Sequence, residues 1–202
     1  MNEGRLHYLV GASGVGKDTL LRYARARIGD GAPVVFAHRY VTRPADARGE
    51  NHVALSEQEF DLRKRHGAFA MDWASHGYRY GIGREIHYWL ATGLSVVVNG
   101  SRGYAAEALI AYPDLHVIWV TASTELVAER LAKRGREDGQ QIAERLQRHP
   151  ASAVPLRARG SIVHLNNDGP LALAGDALVS LLTGAASFDS GATAASGAAR
   201  RS

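Results

Sequence analysis

Residues 11–20, GASGVGKDTL, set glycines and a lysine at the spacing of a loop that cradles phosphates. Glycines at 11, 14 and 16 let successive backbone N–H groups turn inward onto phosphate oxygens. Lys17 then reaches the outer phosphates, and the N-terminal dipole of a following helix favours the anion. Gly11, Ala12, Ser13, Gly14, Val15, Gly16, Lys17, Asp18 and Thr19 are therefore the candidate nucleotide-binding residues. In the common form of such a loop a Ser or Thr follows the lysine and its hydroxyl meets Mg²⁺. Here that residue is Asp18.

An acid in the first turn of a helix is favourable by roughly 0.3–1 kcal/mol through the dipole alone. Beside a row of phosphates, however, a bare carboxylate is repelled. Magnesium between them removes the repulsion, because the ion prefers hard oxygens and takes one or two carboxylates. Enzymes with this loop usually carry that acid at the end of a neighbouring strand. The matching strand end here, VVVNG, offers Asn99. The expected metal site is therefore Asp18, which carries the charge, with Asn99 orienting water.

These residues need a frame. LHYLV at 6–10 is a short apolar run, and DTLLRYARARI has helical spacing, which reads as strand, loop, helix. Apolar runs recur at 33–37, 94–100, 115–120 and 161–166, and all but the first of these four are followed by helix-like segments. Strands alternating with helices predict an α/β fold with a mainly parallel sheet. Between 38 and 92 the pattern becomes irregular, with short strand candidates and a helix near SEQEFDLRKR, where Ser56 and Glu59 fit a capping box. This stretch reads as an inserted substrate-binding region. In the tail, 184–202, 14 of 19 residues are Gly, Ala or Ser, a composition expected to stay disordered.

A chain of 202 residues, 46% hydrophobic, suits one well-buried domain. It has no run of eighteen apolar residues and no secretory leader pattern, so a soluble, cytoplasmic protein without membrane contact is expected. The absence of cysteine excludes disulfides and thiolate metal sites. Of the 24 basic residues 21 are arginine, which suits bidentate phosphate binding and equally suits a coding bias. The nine histidines are scattered without metal-ligand spacing.

In order and spacing, GASGVGKDTL, RYVTRPADARGENHVALSEQEF, DWASHGYRYGIG, VVVNGSRG, RLAKRGRED and LNND together resemble the guanylate kinase family. Among its relatives the chain is most similar to the ribose 1,5-bisphosphate phosphokinases of phosphonate breakdown. The resemblance implies a P-loop kinase core, a parallel β-sheet flanked by helices, over one domain at 1–183. It further implies a small acceptor-binding insert at about 38–92 and an arginine-bearing lid at about 134–145. By the same resemblance Arg43 and Tyr80 hold the acceptor's phosphate. A second acceptor arginine is missing, its place taken by Asp46 with Arg48 as candidate substitute, and a family tyrosine corresponds to His52.

The groups that read guanine in the family are altered. The first acid corresponds to Asp72, assigned to ribose hydroxyls, but the second corresponds to Ser101 and the family's serine to Arg39. Exchanging a carboxylate for a hydroxyl, and a hydroxyl for a guanidinium, turns a base pocket into one that welcomes an anion. Arg102, in NGSRG, adds a further cation. The plain alternative for Arg39 and Arg102 is solvated surface charge, and for Tyr80 a core position. Arg130 and Arg134, four apart, share a helix face, and the spacing to Arg145 matches the family's lid, so with Lys17 they are the candidate catalytic groups. A basic nucleic-acid patch is the other reading of those arginines, but no nucleic-acid module accompanies them. The resemblance also sets Arg134 or Arg136 and the turn Asn166–Asp168 around adenine.

The implied reaction is ATP-dependent, Mg²⁺-assisted phosphorylation of a small sugar phosphate, ribose 1,5-bisphosphate. A phosphate acceptor is mostly ionised near neutral pH, with a second pKa of about 6, so no general base is needed. A kinase for guanylate or another nucleoside monophosphate is one alternative. A non-catalytic interaction module, which would need neither Lys17 nor the lid arginines, is the other.

Overall fold

The computed structural model describes residues 4–44, 52–134, 161–185 and 193–194. Strand β1 (Leu6–Gly11) is buried along its whole length, as the centre of a parallel sheet demands. The loop 12–16 leads from it into α1 (Lys17–Ile28), and β2 (Val34–Phe36) follows. The insert then supplies β3 (Arg39–Val41), β4 (His52–Ala54), α2 (Glu57–Arg65), β5 (Phe69–Ser75) and β6 (Tyr78–Gly83). Next come α3 (Glu85–Ala91), β7 (Ser95–Asn99), a single 3₁₀ turn (Arg102–Tyr104) and α4 (Ala105–Ala111). The chain continues with β8 (His116–Thr121), α5 (Thr124–Arg134), β9 (Ile162–Asn166) and α6 (Leu171–Thr183).

The main sheet runs β9-β8-β1-β7-β2 with every pairing parallel, and a two-residue strand β10 (Thr193–Ala194) extends it beyond β9. This is the expected α/β core, and all strands bring their C-terminal ends to one edge. β10 departs from the expectation of a structureless tail at 193–194. A sheet edge offers backbone hydrogen bonds to any sequence, however poor its side chains. The tail's other residues beyond 185 lie outside the described residues.

Strand alternation divides the core in two. Leu9, Val97, Ile118, Val120, Val163 and Leu165 point to one side, where Leu20 and Ala24 of α1, Val127 and Leu131 of α5, and Leu178 and Leu182 of α6 cover them. Tyr8, Val10, Val96, Val98, Val117 and Trp119 point to the other, beneath α3, α4 and the insert's Met71 and Ile82. Each aliphatic side chain fully buried in these layers contributes about 1.5–3 kcal/mol. No helix among the described residues is long and apolar enough to cross a membrane.

The insert forms a second sheet, β4-β3-β6-β5. Its hairpin turns at His76 and Gly77, both at positive φ, the two-residue geometry whose twist matches that of the strands it joins. On its outer face α2 begins at Ser56, whose hydroxyl accepts from the Glu59 N–H at 3.1 Å. The Glu59 carboxylate pairs with Arg63 one turn on, at 2.8 Å.

Candidate active site

The loop after β1 is shaped by positions at which only glycine fits. Gly16 has φ 98°, and a Cβ there would lie 2.5 Å from the Asn167 amide nitrogen. Gly14 has φ 89°, and a Cβ there would lie 2.9 Å from Val127 Cγ1 of α5. Gly16 caps α1 without any side-chain hydrogen bond, so the helix's first N–H groups are not claimed by a cap and suit an anion. Lys17 Nζ donates to the carbonyls of Gly11 at 2.7 Å and Ala12 at 3.1 Å, which holds the ammonium over the loop.

Next to the loop, β7 ends in Asn99, whose neighbour in the register is Leu9 of β1. Its Nδ2 donates to Asp18 Oδ1 at 2.9 Å. Its Oδ1 is buried and has no hydrogen-bond partner among the described residues. The two residues expected to serve a metal are thus in contact across 81 positions. A carboxylate, a buried acceptor oxygen and a phosphate-shaped loop are donors that fit magnesium, a hard cation that keeps much of its water.

Both residues open into a cavity of about 740 Å³ between the main sheet's edge and the insert. Its lining includes Gly11, Ser13, Lys17, Asp18 and Asn99 from the loop and its neighbours, and Arg39, Arg43, Tyr80, Ser101 and Arg102. Ala12, Gly14, Val15 and Gly16 form the loop behind this wall, and Thr19 lies in the first turn of α1 without lining the cavity. Arg39 lies over the Tyr80 ring, 5.5 Å from its centroid, and Arg43 over Tyr78 at 5.8 Å. Burial pulls the pKa of Arg102 below its ordinary value, so a bound anion would compensate what the guanidinium loses in hydration.

Asp72, expected on ribose hydroxyls, does not line this cavity. The register pairs Asp72 with Gly81 and Trp73 with Tyr80, so Trp73 takes the face that Tyr80 shares. The Asp72 carboxylate is ion-paired with Lys64 of α2 instead. Arg130, expected in the lid, lies behind the loop. Its guanidinium donates to the carbonyls of Val15 at 3.2 Å and Asn167 at 3.0 Å, and Asn167 Nδ2 donates to Val15 O at 2.7 Å. The turn expected near adenine is bonded largely to itself and to α5. Asp168 accepts from Ser123 N at 2.6 Å and from Asn166 Nδ2 at 3.0 Å, and the Ser123 N–H in particular holds its pKa below the carboxylate norm. His52 sits on edge strand β4 opposite Arg39. The Arg134 side chain and all of Asp46, Arg48, Arg136 and Arg145 lie outside the described residues.

The cavity also has an aromatic wall, of which only Tyr80 is among the site residues expected above. Trp73 stacks on Tyr80 at 5.6 Å and 3°, and on Tyr104 at 5.7 Å and 25°, and all three line the cavity together with Glu107. The signal was available in DWASHGYRYGIG. A two-residue turn at His76 and Gly77 puts Trp73 opposite Tyr80 by counting alone.

No protein-family model matches the chain. It is 52% identical over 185 residues to the ribose 1,5-bisphosphate phosphokinase PhnN of Thiobacillus denitrificans, covering 92% of this chain and 96% of that one. The protein of the same name from Desulfomicrobium baculatum is 53% identical over 88% of this chain and 94% of its own. That of Burkholderia pseudomallei is 47% identical over 92% and 99%. Among solved structures, guanylate kinase from Anaplasma phagocytophilum superposes with a TM-score of 0.64 at 16% identity, covering 91% of this chain and 87% of that one. This last likeness concerns the fold.

Proposed function

Because the chain belongs to the family of ribose 1,5-bisphosphate phosphokinases, we propose that it transfers the γ-phosphoryl group of ATP to the 1-phosphate of ribose 1,5-bisphosphate. The products are 5-phospho-α-D-ribose 1-diphosphate and ADP, and the reaction is a step of phosphonate breakdown that draws on cytoplasmic ATP. The observation that carries this reading beyond the family name is that Arg39 and Ser101 line one cavity with Lys17. Guanine would need an acid where Ser101 stands, whereas the guanidinium groups of Arg39, Arg43 and Arg102 suit a second phosphate.

In the reaction an oxygen of the acceptor's 1-phosphate attacks the γ-phosphorus, and the bond to the β–γ bridging oxygen breaks as ADP leaves. The attacking oxygen is already ionised, so no side chain has to remove a proton. What the protein supplies is alignment and positive charge. The loop N–H groups and Lys17 hold the donor phosphates, and Arg39, Arg43 and Arg102 hold the acceptor. Tyr80 backs Arg39, and the lid residues Arg134 and Arg145 are assigned to cover the transferred group. Asp18 and Asn99 are the residues that would hold Mg²⁺, whose chemistry there is to neutralise phosphate charge.

The test is ADP release with Mg-ATP and a panel of ribose 1,5-bisphosphate, ribose 5-phosphate and the nucleoside monophosphates. Turnover is expected with the bisphosphate and not with guanylate. Strong turnover of guanylate with none of the bisphosphate would overturn the assignment, and no turnover of any acceptor would favour an interaction module.

A further inference from the structure

Tyr8 belongs to none of the motifs, yet among the described residues it is the largest fully buried side chain. It sits in β1 between β7 and β8, a position that parallel sheets usually give to an aliphatic residue. A buried phenol needs hydrogen-bond partners. Tyr8 finds both on one residue, donating to the Ser101 carbonyl at 3.2 Å and accepting from the Ser101 N–H at 3.0 Å. Its ring lies flat beneath Gly100, where a Cβ would come within 2.1 Å of Tyr8 Cζ. The connection leaving β7 is therefore seated on the ring and fastened by its hydroxyl. Ser101 and Arg102, which follow directly, line the acceptor side of the cavity. Ser101 is also the N-cap residue of the 3₁₀ turn and its side chain makes no capping hydrogen bond, so the turn's start is held through the Ser101 backbone by the Tyr8 hydroxyl.

We propose that Tyr8 is a positioning residue for the acceptor: by bonding both backbone groups of Ser101 it fixes where Ser101 and Arg102 meet the sugar phosphate. This rests on the acceptor reading given above. A tyrosine that merely filled the core would act through its volume, which phenylalanine reproduces. A tyrosine that positions the turn acts through its hydroxyl, and its loss falls on the acceptor and spares the nucleotide. The nucleotide loop provides the internal control, since Gly11 ends the strand that carries Tyr8.

Tyr8→Phe and Gly100→Ala, in the full chain, are to be compared with the wild type. KM is measured for acceptor and for Mg-ATP, together with the affinity for a fluorescent ATP analogue without acceptor and the melting temperature. In Tyr8→Phe the acceptor KM should rise at least fivefold, with ATP KM and analogue affinity within twofold of wild type. Gly100→Ala keeps the hydroxyl and lifts the same turn off the ring, so it should show the same split. If Tyr8→Phe fails to fold, Gly100→Ala decides. An acceptor KM within twofold, equal losses for acceptor and ATP, or failure of both variants to fold would overturn the inference. If the wild type ignores ribose 1,5-bisphosphate, the acceptor assignment fails, and the split is read on whichever acceptor it does phosphorylate.

Discussion

Asn99 Nδ2 donates to Asp18 Oδ1 at 2.9 Å, tying the end of β7 to the first turn of α1. The carboxylate can only accept, so the bond settles the amide's orientation and turns Asn99 Oδ1 the other way, where it is buried without a partner. A strand end and a helix start that are far apart in the chain are thereby joined into one polar unit at the cavity wall. A mutation at either residue therefore acts on both.

Lys17→Ala removes the ammonium that now rests on the Gly11 and Ala12 carbonyls. Turnover should fall by about 10²–10³-fold, the scale on which transition-state charge donors act, with the melting temperature nearly unchanged. Initial rates at saturating Mg-ATP test this. An unchanged rate would remove the loop from the chemistry.

Arg39→Ser combined with Ser101→Asp deletes a cation and adds an anion at the proposed distal phosphate site. Charge-assisted hydrogen bonds are each worth about 1.5–3 kcal/mol, so the acceptor KM should rise tenfold or more while the KM for ATP holds. Equal effects on both substrates would put the distal phosphate elsewhere.

Arg130 braces the nucleotide loop from behind through Val15 and Asn167. Arg130→Ala takes the guanidinium donor from the Asn167 carbonyl and leaves Val15 O to Asn167 Nδ2 alone, and a loss of about 1–3 kcal/mol in urea unfolding is expected, together with weaker ATP binding. Arg130→Lys should rescue little, because an ammonium cannot reproduce the fork that spans both carbonyls. Full rescue by lysine would show that charge matters there and geometry does not.

The parts of this site that could be read in the sequence are those fixed by local spacing. The loop, the strand before it and the Asn99 strand end all follow from short-range pattern, and the Asp18–Asn99 contact follows from parallel neighbours ending at one edge. Asp72's place off the cavity follows from hairpin register, which the turn at His76 and Gly77 sets several residues away and local spacing does not show. For Arg130 the i, i+4 spacing with Arg134 gives a shared helix face and leaves open what that face meets. Tyr8 was invisible for a related reason: its role exists only through Ser101, 93 positions on.

His7 gives the fold a pH dependence. Burial, helped by the charges of His116 and Arg5, lowers its pKa from 6.5 to about 3, so it is neutral when folded. Between those values the unfolded chain binds a proton that the folded chain refuses. Stability is therefore whole above about pH 6.5 and falls as the pH drops toward 3, by up to about 1.4 kcal/mol per pH unit. His116, lowered chiefly by its own burial, adds in the same direction. His7→Leu should flatten the melting temperature between pH 7 and 5, leaving the His116 part. Parallel curves for variant and wild type would discard this origin.

Asp18 sets a carboxylate where such loops usually place a hydroxyl. Asp18→Ser restores the common form of the loop, yet it should raise the magnesium requirement and slow turnover, because it removes the carboxylate that touches Asn99. Adding Asn99→Asp returns an acid to the strand end and should recover part of the loss. Asn99→Asp alone should help little or harm, since it sets a second carboxylate 2.9 Å from the first, with no donor left between them. The four proteins form a cycle, read from magnesium titrations of the initial rate and from calorimetric Mg²⁺ binding in the presence of a non-hydrolysable ATP analogue. Direct contact predicts a coupling of about 0.5–3 kcal/mol between the positions. Additive effects, or normal magnesium dependence in Asp18→Ser, would reduce Asp18 to an acid favoured by its helix end, and would leave the metal's charge to be sought elsewhere in the cavity.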